Sequence, residues 1–480
     1  MAIYRFWLPA LIGSLGLLGC SNLPPDKPDP FSGIEQQHLP VAGLTLDLTE
    51  SERQARVDEL LQQSLTPTQA MELMLINSPQ VRVELAELGI AQAQQLQAGL
   101  LSNPRFGLGA LRPEGGGRWQ LDAGISQSIL DIFTRPLRKQ LADAEFTAAQ
   151  IKLHLRLSQQ LYKVQHHYYK TLAASELTQL QAAHYQAAEA NLSLAQSLFK
   201  AGNIPERHLL QYQLDAQAQM RQQQETEMNA RQKQIALGAL LGLDSAAVIQ
   251  LPKKLPSLPG ADNFTRTELI TIAKQKRSDL QLARTQVRAT ENSLALQNKM
   301  GAFTEIELGA NVERESDGSY KAGPEIAFSL PVFDRGHARA QSAQATIQRS
   351  QALLQAQEIQ TEAEISSALL VLNNARASVE HIEQTSLPLQ RKVQTLKLRE
   401  YNFMLSSAFE LIQLKQQEFD LTRERTNALL AYWQARSALA LASGQSLAVD
   451  TKPTPEKPAP EKIAPEVDHP MHNHGDHHHD

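Results

Sequence analysis

Apolar positions recur along this chain at two periods, and the switches between them mark out its elements. From Leu137 to Lys200 the spacing is three and four. Leu157, Leu161, Val164, Tyr168 and Leu172 lie on one seam, which predicts a helix of about 64 residues, roughly 95 Å at 1.5 Å per residue. A second such run extends from about Gly336 to Glu400 through Ile365, Leu369, Leu372, Val379 and Ile382, and Pro388 inside it predicts a local bend. Four shorter runs, Thr66–Leu101, Glu206–Leu241, Thr265–Met300 and Ala408–Ala442, hold about 35 residues each, roughly 53 Å. Two of them laid end to end match one long helix.

Between the helices the period falls to two. Phe106, Leu108 and Ala110 interleave with Gly107 and Gly109, and Trp119, Leu121, Ala123 and Ile125 with Gln120, Asp122, Gly124 and Ser126. Further on, Ile306, Leu308, Ala310 and Val312 alternate with Glu305, Glu307, Gly309 and Asn311, and Ile326, Phe328 and Leu330 with Glu325, Ala327 and Ser329. The turns RPEGGGR and RESDGSY join each pair into a hairpin. One apolar face at period two fits a soluble sheet and a transmembrane barrel equally well. Four strands cannot close a barrel alone, so the membrane reading requires strands from several chains.

The whole plan occurs twice. LTPTQAMELMLINSPQV from Leu65 answers FTRTELITIAKQKRSDL from Phe264, each with a threonine at a helix N-cap. Phe133 and Arg135 match Phe333 and Arg335 about 200 residues on. The copies occupy 65–250 and 264–443, and the proline-rich stretch 251–263 separates them.

Composition narrows the picture. Aromatics are 5% and mean hydropathy is −0.34, while Gln and Ala crowd long stretches, as in extended or coiled helices. Acids outnumber bases 51 to 46, so there is no basic face for nucleic acid. A single cysteine excludes a disulfide framework, a CxxC redox pair and a thiolate zinc site. Residues 1–19, with Arg5 ahead of a short apolar run, read as an export signal. LLGC, ending at Cys20, looks like a bacterial lipobox, and Ser21 after it matches sorting to the outer membrane. Residues 20–64 then form a lipidated tether that begins SNLPPDKPDP. No nucleophile elbow, P-loop, HExxH or dinucleotide fingerprint occurs, so nothing argues for an enzyme or a cofactor.

A duplicated unit of short helix, β-hairpin, long helix, turn and short helix resembles the TolC-like outer membrane efflux proteins, and Cys20 is similar to their lipoprotein branch. NSPQV (77–81), FKAGNIPERHLL (199–210) and YNFMLSSAFELIQLKQQEFDL (401–421) carry the likeness locally. It implies a mainly α fold with a small β part: a periplasmic α-barrel of long coiled helices and, in a homotrimer, a 12-stranded outer-membrane β-barrel. It implies an entrance at the helix-hairpin tips, Ala201, Gly202, Asn203 and Ile204 in the first copy and Met404, Leu405, Ser406 and Ser407 in the second. These would dock a periplasmic adaptor joined to an inner-membrane pump. The second tip lacks glycine, which puts its turn geometry in question. The proline-rich joint and both chain ends would gather as a belt around the middle.

The C-terminal segment 444–480 ends in DHPMHNHGDHHHD. Its His469, His472, His474, His477, His478 and His479 offer imidazoles suited to copper, zinc, nickel or cobalt, held without a fixed scaffold. His166 and His167 point about 100° apart on one helix. With His154, His184, His208 and His381 they read as helix-surface or lumen residues. Asp122, Glu305, Glu307 and Glu325 fall on the polar strand face and would line a lumen. The expectation is a passive outer-membrane channel of a tripartite efflux system for heavy-metal cations. A conduit for drugs or other small molecules is the alternative cargo. A periplasmic adaptor or a structural coiled-coil lipoprotein is the alternative class, though neither needs two sets of alternating strands.

Overall fold

The computed structural model describes residues 49–260, 264–300, 306–330, 332–333 and 335–445. These lie in the first of two units, 1–447; Cys20, Glu305 and the histidine-rich tail lie outside the described residues.

The chain opens with α1 (Glu50–Leu61), α2 (Pro67–Asn77) and α3 (Pro79–Ala98). Strands β1 (Arg105–Leu111) and β2 (Gln120–Ser128) follow, then the long α4 (Ile129–Lys200) and α5 (Glu206–Leu240). The second copy runs α6 (Arg266–Lys276), α7 (Ser278–Met300), β3 (Ile306–Arg314), β4 (Tyr320–Phe328), α8 (His337–His381), a π turn (Ile382–Ser386), α9 (Leu387–Asn402) and α10 (Ala408–Ser443). Helices and one four-stranded sheet therefore recur in the order the periods predict.

Both expected threonine caps are present. Thr66 Oγ1 accepts from Gln69 N (3.2 Å) and Thr66 N donates to Gln69 Oε1 (2.9 Å), with Pro67 opening the helix. Thr265 makes the same box with Glu268. A third box, Thr49 with Glu52, starts α1 inside the segment read as a tether.

Three boundaries differ from the sequence expectation. The run from Thr66 is two helices, because Pro79 forces Ser78 out of the helical region (ψ 126°). The run from Thr265 also breaks, at Arg277 (ψ 121°), with no proline. There the Arg277 guanidinium donates to Glu364 (2.6 Å), to the Ala442 carbonyl (3.1 Å) and to Asp279, fixing the kink by side-chain contacts. The first long helix begins eight residues before Leu137, since Ser128 caps it straight from β2 and Pro136 is accommodated inside its 72 residues. The bend expected of Pro388 takes the form of the π turn, in which Leu387 N donates to Ile382 O. One extra residue per turn accommodates the proline ring.

Most of the predicted seam is the core: Leu157, Leu161, Val164, Tyr168 and Leu172 are buried, as are Ile365, Leu372, Val379 and Ile382, while Leu369 is half-buried. Tyr169 stacks on Trp433 of α10, with ring centres 5.3 Å apart. The proline-rich joint packs on this girdle. Trp433 Nε1 donates to Pro256 O (2.9 Å), and Leu255 N donates to Glu176 Oε2 (2.9 Å).

The strands form one antiparallel sheet in the order β1-β2-β3-β4. Its central ladder joins the two copies, pairing Asp122 with Glu313 and Gly124 with Asn311. β1 and β4 are its edges.

Candidate functional site

The register separates the sheet into two chemically distinct faces. Residues opposite one another across a ladder share a face, and neighbours along a strand do not. Phe106, Leu108, Leu121, Ile125, Ile326 and Phe328 fall on one side, all substantially exposed, Leu108 at 75%. Such an apolar surface marks a contact with lipid or another chain rather than with water.

The opposite face is polar and acidic. Asp122, Glu307 and Glu325 all lie on it, as their alternation predicts. It also carries Glu313, Arg105 and Lys321, which follow from the same period but were not singled out in the sequence. Arg105 donates to Glu307 (3.0 Å), and Gln120 donates to Glu313. Asp122 and Glu313 stand directly opposite each other, two like charges on one rung. Glycines at 107, 109, 124, 309 and 323 lie on that face too, among Gln120, Ser126 and Asn311.

The two tips close by the same turn. In the first, Gly202 N donates to Phe199 O (2.9 Å) and Asn203 N to Leu198 O (2.8 Å). In the second, Met404 N donates to Tyr401 O and Leu405 N to Glu400 O, both at 2.9 Å. Each is a Schellman end, which needs a left-handed residue after the helix. Gly202 supplies it at φ 74°. Met404 supplies it at φ 59° despite its Cβ, and no other described non-glycine residue has a positive φ. The question left by the missing glycine is thus resolved in favour of the same geometry, at a cost of about 1 kcal/mol. The tips differ in surface: Met404 is 94% exposed and flanked by exposed Phe403 and Leu405, against Ala201 and Asn203 in the first copy.

Above the tips, α10 packs on the first copy's hairpin. Tyr212 stacks on Phe409 (5.2 Å), and Gln416 Nε2 donates to Asp215 Oδ2 (3.4 Å). His184, read from sequence as a helix-surface or lumen residue, belongs to this seam and stacks on Phe419 (4.7 Å). His166 and His167 are half-buried on α4 with their rings 6.1 Å apart, and burial, aided by Lys170, pushes both below the ordinary histidine value. No grouping of three or more His, Cys, Asp or Glu able to hold a metal occurs among the described residues. No described helix is long and apolar enough to cross a membrane.

No known family model and no curated protein matches the sequence. Solved structures do. The chain aligns with the outer membrane protein VceC of Vibrio cholerae at 17% identity and a TM-score of 0.65, over 79% of this chain and 96% of that one. With the CmeC outer membrane channel of Campylobacter jejuni the values are 15% and 0.67, over 79% and 85%. With the open state of the MtrE outer membrane channel of Neisseria gonorrhoeae they are 15% and 0.61, over 78% and 88%. Long paired helices, a single four-stranded sheet and two helix-hairpin tips place this chain in the fold of the TolC-like outer membrane channels.

Proposed function

We propose that the chain is the outer-membrane channel of a tripartite efflux system, a passive conduit whose cargo is heavy-metal cations. The observation that carries the channel reading is the sheet, open at β1 and β4, with an exposed apolar face and a glycine-rich acidic one. Three copies joined edge to edge would pair every strand, turn the apolar face to lipid and enclose the acidic face around water. Lipidation at Cys20 would hold the assembly at the membrane. The tips at 201–204 and 404–407 would dock a periplasmic adaptor, and an inner-membrane pump would supply the energy. The metal cargo is supported by the sequence of the tail, His469 to His479, and by acids on the enclosed face, which lower the energy of a passing cation.

Two experiments test this. Unheated protein from outer-membrane fractions is expected to migrate as a trimer; a monomer at all temperatures overturns the barrel. A deletion strain is then grown on copper, silver, zinc, cobalt and nickel salts and on dyes and detergents, and complemented by the full chain or by a chain truncated after Val467. Selective metal sensitivity, partly reproduced by the truncation, supports metal export. Sensitivity to dyes and detergents alone replaces the cargo with small organic molecules. No sensitivity overturns the transport reading.

A further inference from the structure

One half-buried histidine in the seam between the two copies is placed to respond to protons. His184 projects from α4 and lies against the Phe419 ring of α10, with centres 4.7 Å apart and planes at 24°. Its Nε2 is shut off from solvent and has no hydrogen-bond partner. A cavity of about 330 Å³ and another of about 200 Å³ both border this ring pair. The neutral imidazole therefore behaves as an apolar aromatic plug between α4, α5 and α10.

Every charged group facing it is already engaged or lies across the cavity. From α5, Asp215 accepts from Gln219 (3.2 Å) and from Gln416 (3.4 Å), and Glu225 lines the larger cavity. From α10, Asp420 is paired with Arg423 (2.8 Å). Lys415 is paired with Glu418 (2.7 Å), and its ammonium sits 5.4 Å from the Phe419 ring centre. An imidazolium here would be a half-buried cation whose Nε2 has no acceptor, beside an aromatic ring that already faces a lysine. Leaving a charge buried and unpaired is costly.

We propose that His184 is a proton-operated latch, which holds α10 against the first copy's hairpin when neutral and releases it when protonated. The consequence for transport rests on the channel reading; the latch does not. Burial is the largest influence on the ring and lowers its proton affinity, Arg423 adds to this, and Asp215 and Asp420 oppose it more weakly. The sign follows. The closed seam binds the proton less well than an open one, so its stability is complete above the ordinary histidine value of 6.5 and is lost as pH falls below it. Acidification opens the seam.

The test is hydrogen exchange of 409–423 in the full-length trimer in lipid vesicles between pH 7.5 and 5.5, corrected for intrinsic rates, with ion flux through the same vesicles recorded in parallel. The wild type is expected to gain exchange by up to about tenfold for each pH unit below the histidine range. His184→Phe, which stacks but cannot titrate, is expected to change less than about twofold. An equal pH response in His184→Phe, or none in the wild type, overturns the latch. Should the variant fail to assemble, C2-hydrogen exchange of His184 in the wild type decides: a midpoint below 6.5 supports the latch, and an ordinary one overturns it. Proton-dependent exchange with no flux at any pH supports the latch while removing the channel reading.

Discussion

Gly242 turns left-handed directly against the backbone of Asn77, so closely that a Cβ on it would lie 2.7 Å from the Asn77 carbonyl oxygen. Asn77 Nδ2 completes the contact by donating to the carbonyls of Leu241 (3.0 Å) and Gly242 (2.9 Å). The second copy repeats it: a Cβ on Gly444, also left-handed, would lie 3.1 Å from Arg277 N and close to the Lys276 backbone. Each copy thus ends where its own first helix breaks.

Gly242→Ala is therefore expected to destabilise by more than the 1–2 kcal/mol of left-handed strain alone, because the Asn77 backbone must also move. Gly444→Ala should cost less, since its neighbours stand several tenths of an ångström further off. Chemical denaturation of the two variants checks the order.

Met404→Gly should relieve the second tip. Replacing a strained left-handed residue by glycine gains up to about 1 kcal/mol, and the amides of 403–405 should exchange more slowly. Gly202→Met should do the reverse at the first tip. Loss of adaptor binding by a stabilised Met404→Gly would show that the exposed methionine serves docking rather than the turn.

Arg277→Leu removes the support of the second helix break. Its side chain is 10% exposed and serves Asp279, Glu364 and a helix-end carbonyl. Truncation should cost about 2–3 kcal/mol, the low end for a buried pair because Glu364 remains partly solvated. Lysine should not rescue it, as one ammonium cannot span three acceptors held by a planar fork. Thermal unfolding of both variants is the measurement.

The contact of Lys397 with Glu410 across the second tip should be sensitive to pH and salt. Hydrogen bonding to Glu410 and Glu400 raises the Lys397 value, and the Lys397 bond holds Glu410 below the usual 4.5. The carboxylate's contribution is thus present above pH 4.5 and lost as pH falls through its lowered value. The ammonium's contribution is complete below 10.5 and lost as pH rises beyond that. Exchange at 408–412 should accelerate below pH 4.5 and at high salt.

Asp122→Asn should strengthen the central ladder slightly, by about 0.2–1 kcal/mol, by removing a like charge opposite Glu313. If the acidic face encloses the pore, the same change should lower cation over anion selectivity, read as a shift in reversal potential.

Much of this fold is legible in the sequence because its signals are local. The first three strands start and end within a residue or two of the alternation, β4 starts at Tyr320, well before the alternation read from Glu325, and the seam residues from Leu157 to Leu172 are buried as their spacing requires. What escaped depends on distant partners. The break at Arg277 has no proline to announce it and exists through Glu364 and Ala442. His184 is an isolated histidine on a long helix until Phe419, far along the chain, packs on it. The α1 helix did have a local signal, the Thr49–Glu52 box, overshadowed by the prolines before it. Cys20, Glu305 and the tail histidines fall outside the described residues, so their parts remain proposals.

The ladder between β2 and β3 has a bearing on biogenesis. Each hairpin pairs residues a few to a few tens of positions apart and can form as soon as its own turn is made. The central ladder instead unites Asp122 with Glu313, and a side-chain hydrogen bond across it joins Gln120 to Glu313, 193 residues apart in the chain. Closing so large a loop is entropically expensive and slow. The sheet is therefore finished only after α4 to α7, which lie between β2 and β3 in the chain, have been made, and until then each hairpin carries an unpaired inner edge. A chain interrupted in transit would expose those edges to its neighbours, which makes the interval before β2 meets β3 the period of greatest exposure to aggregation.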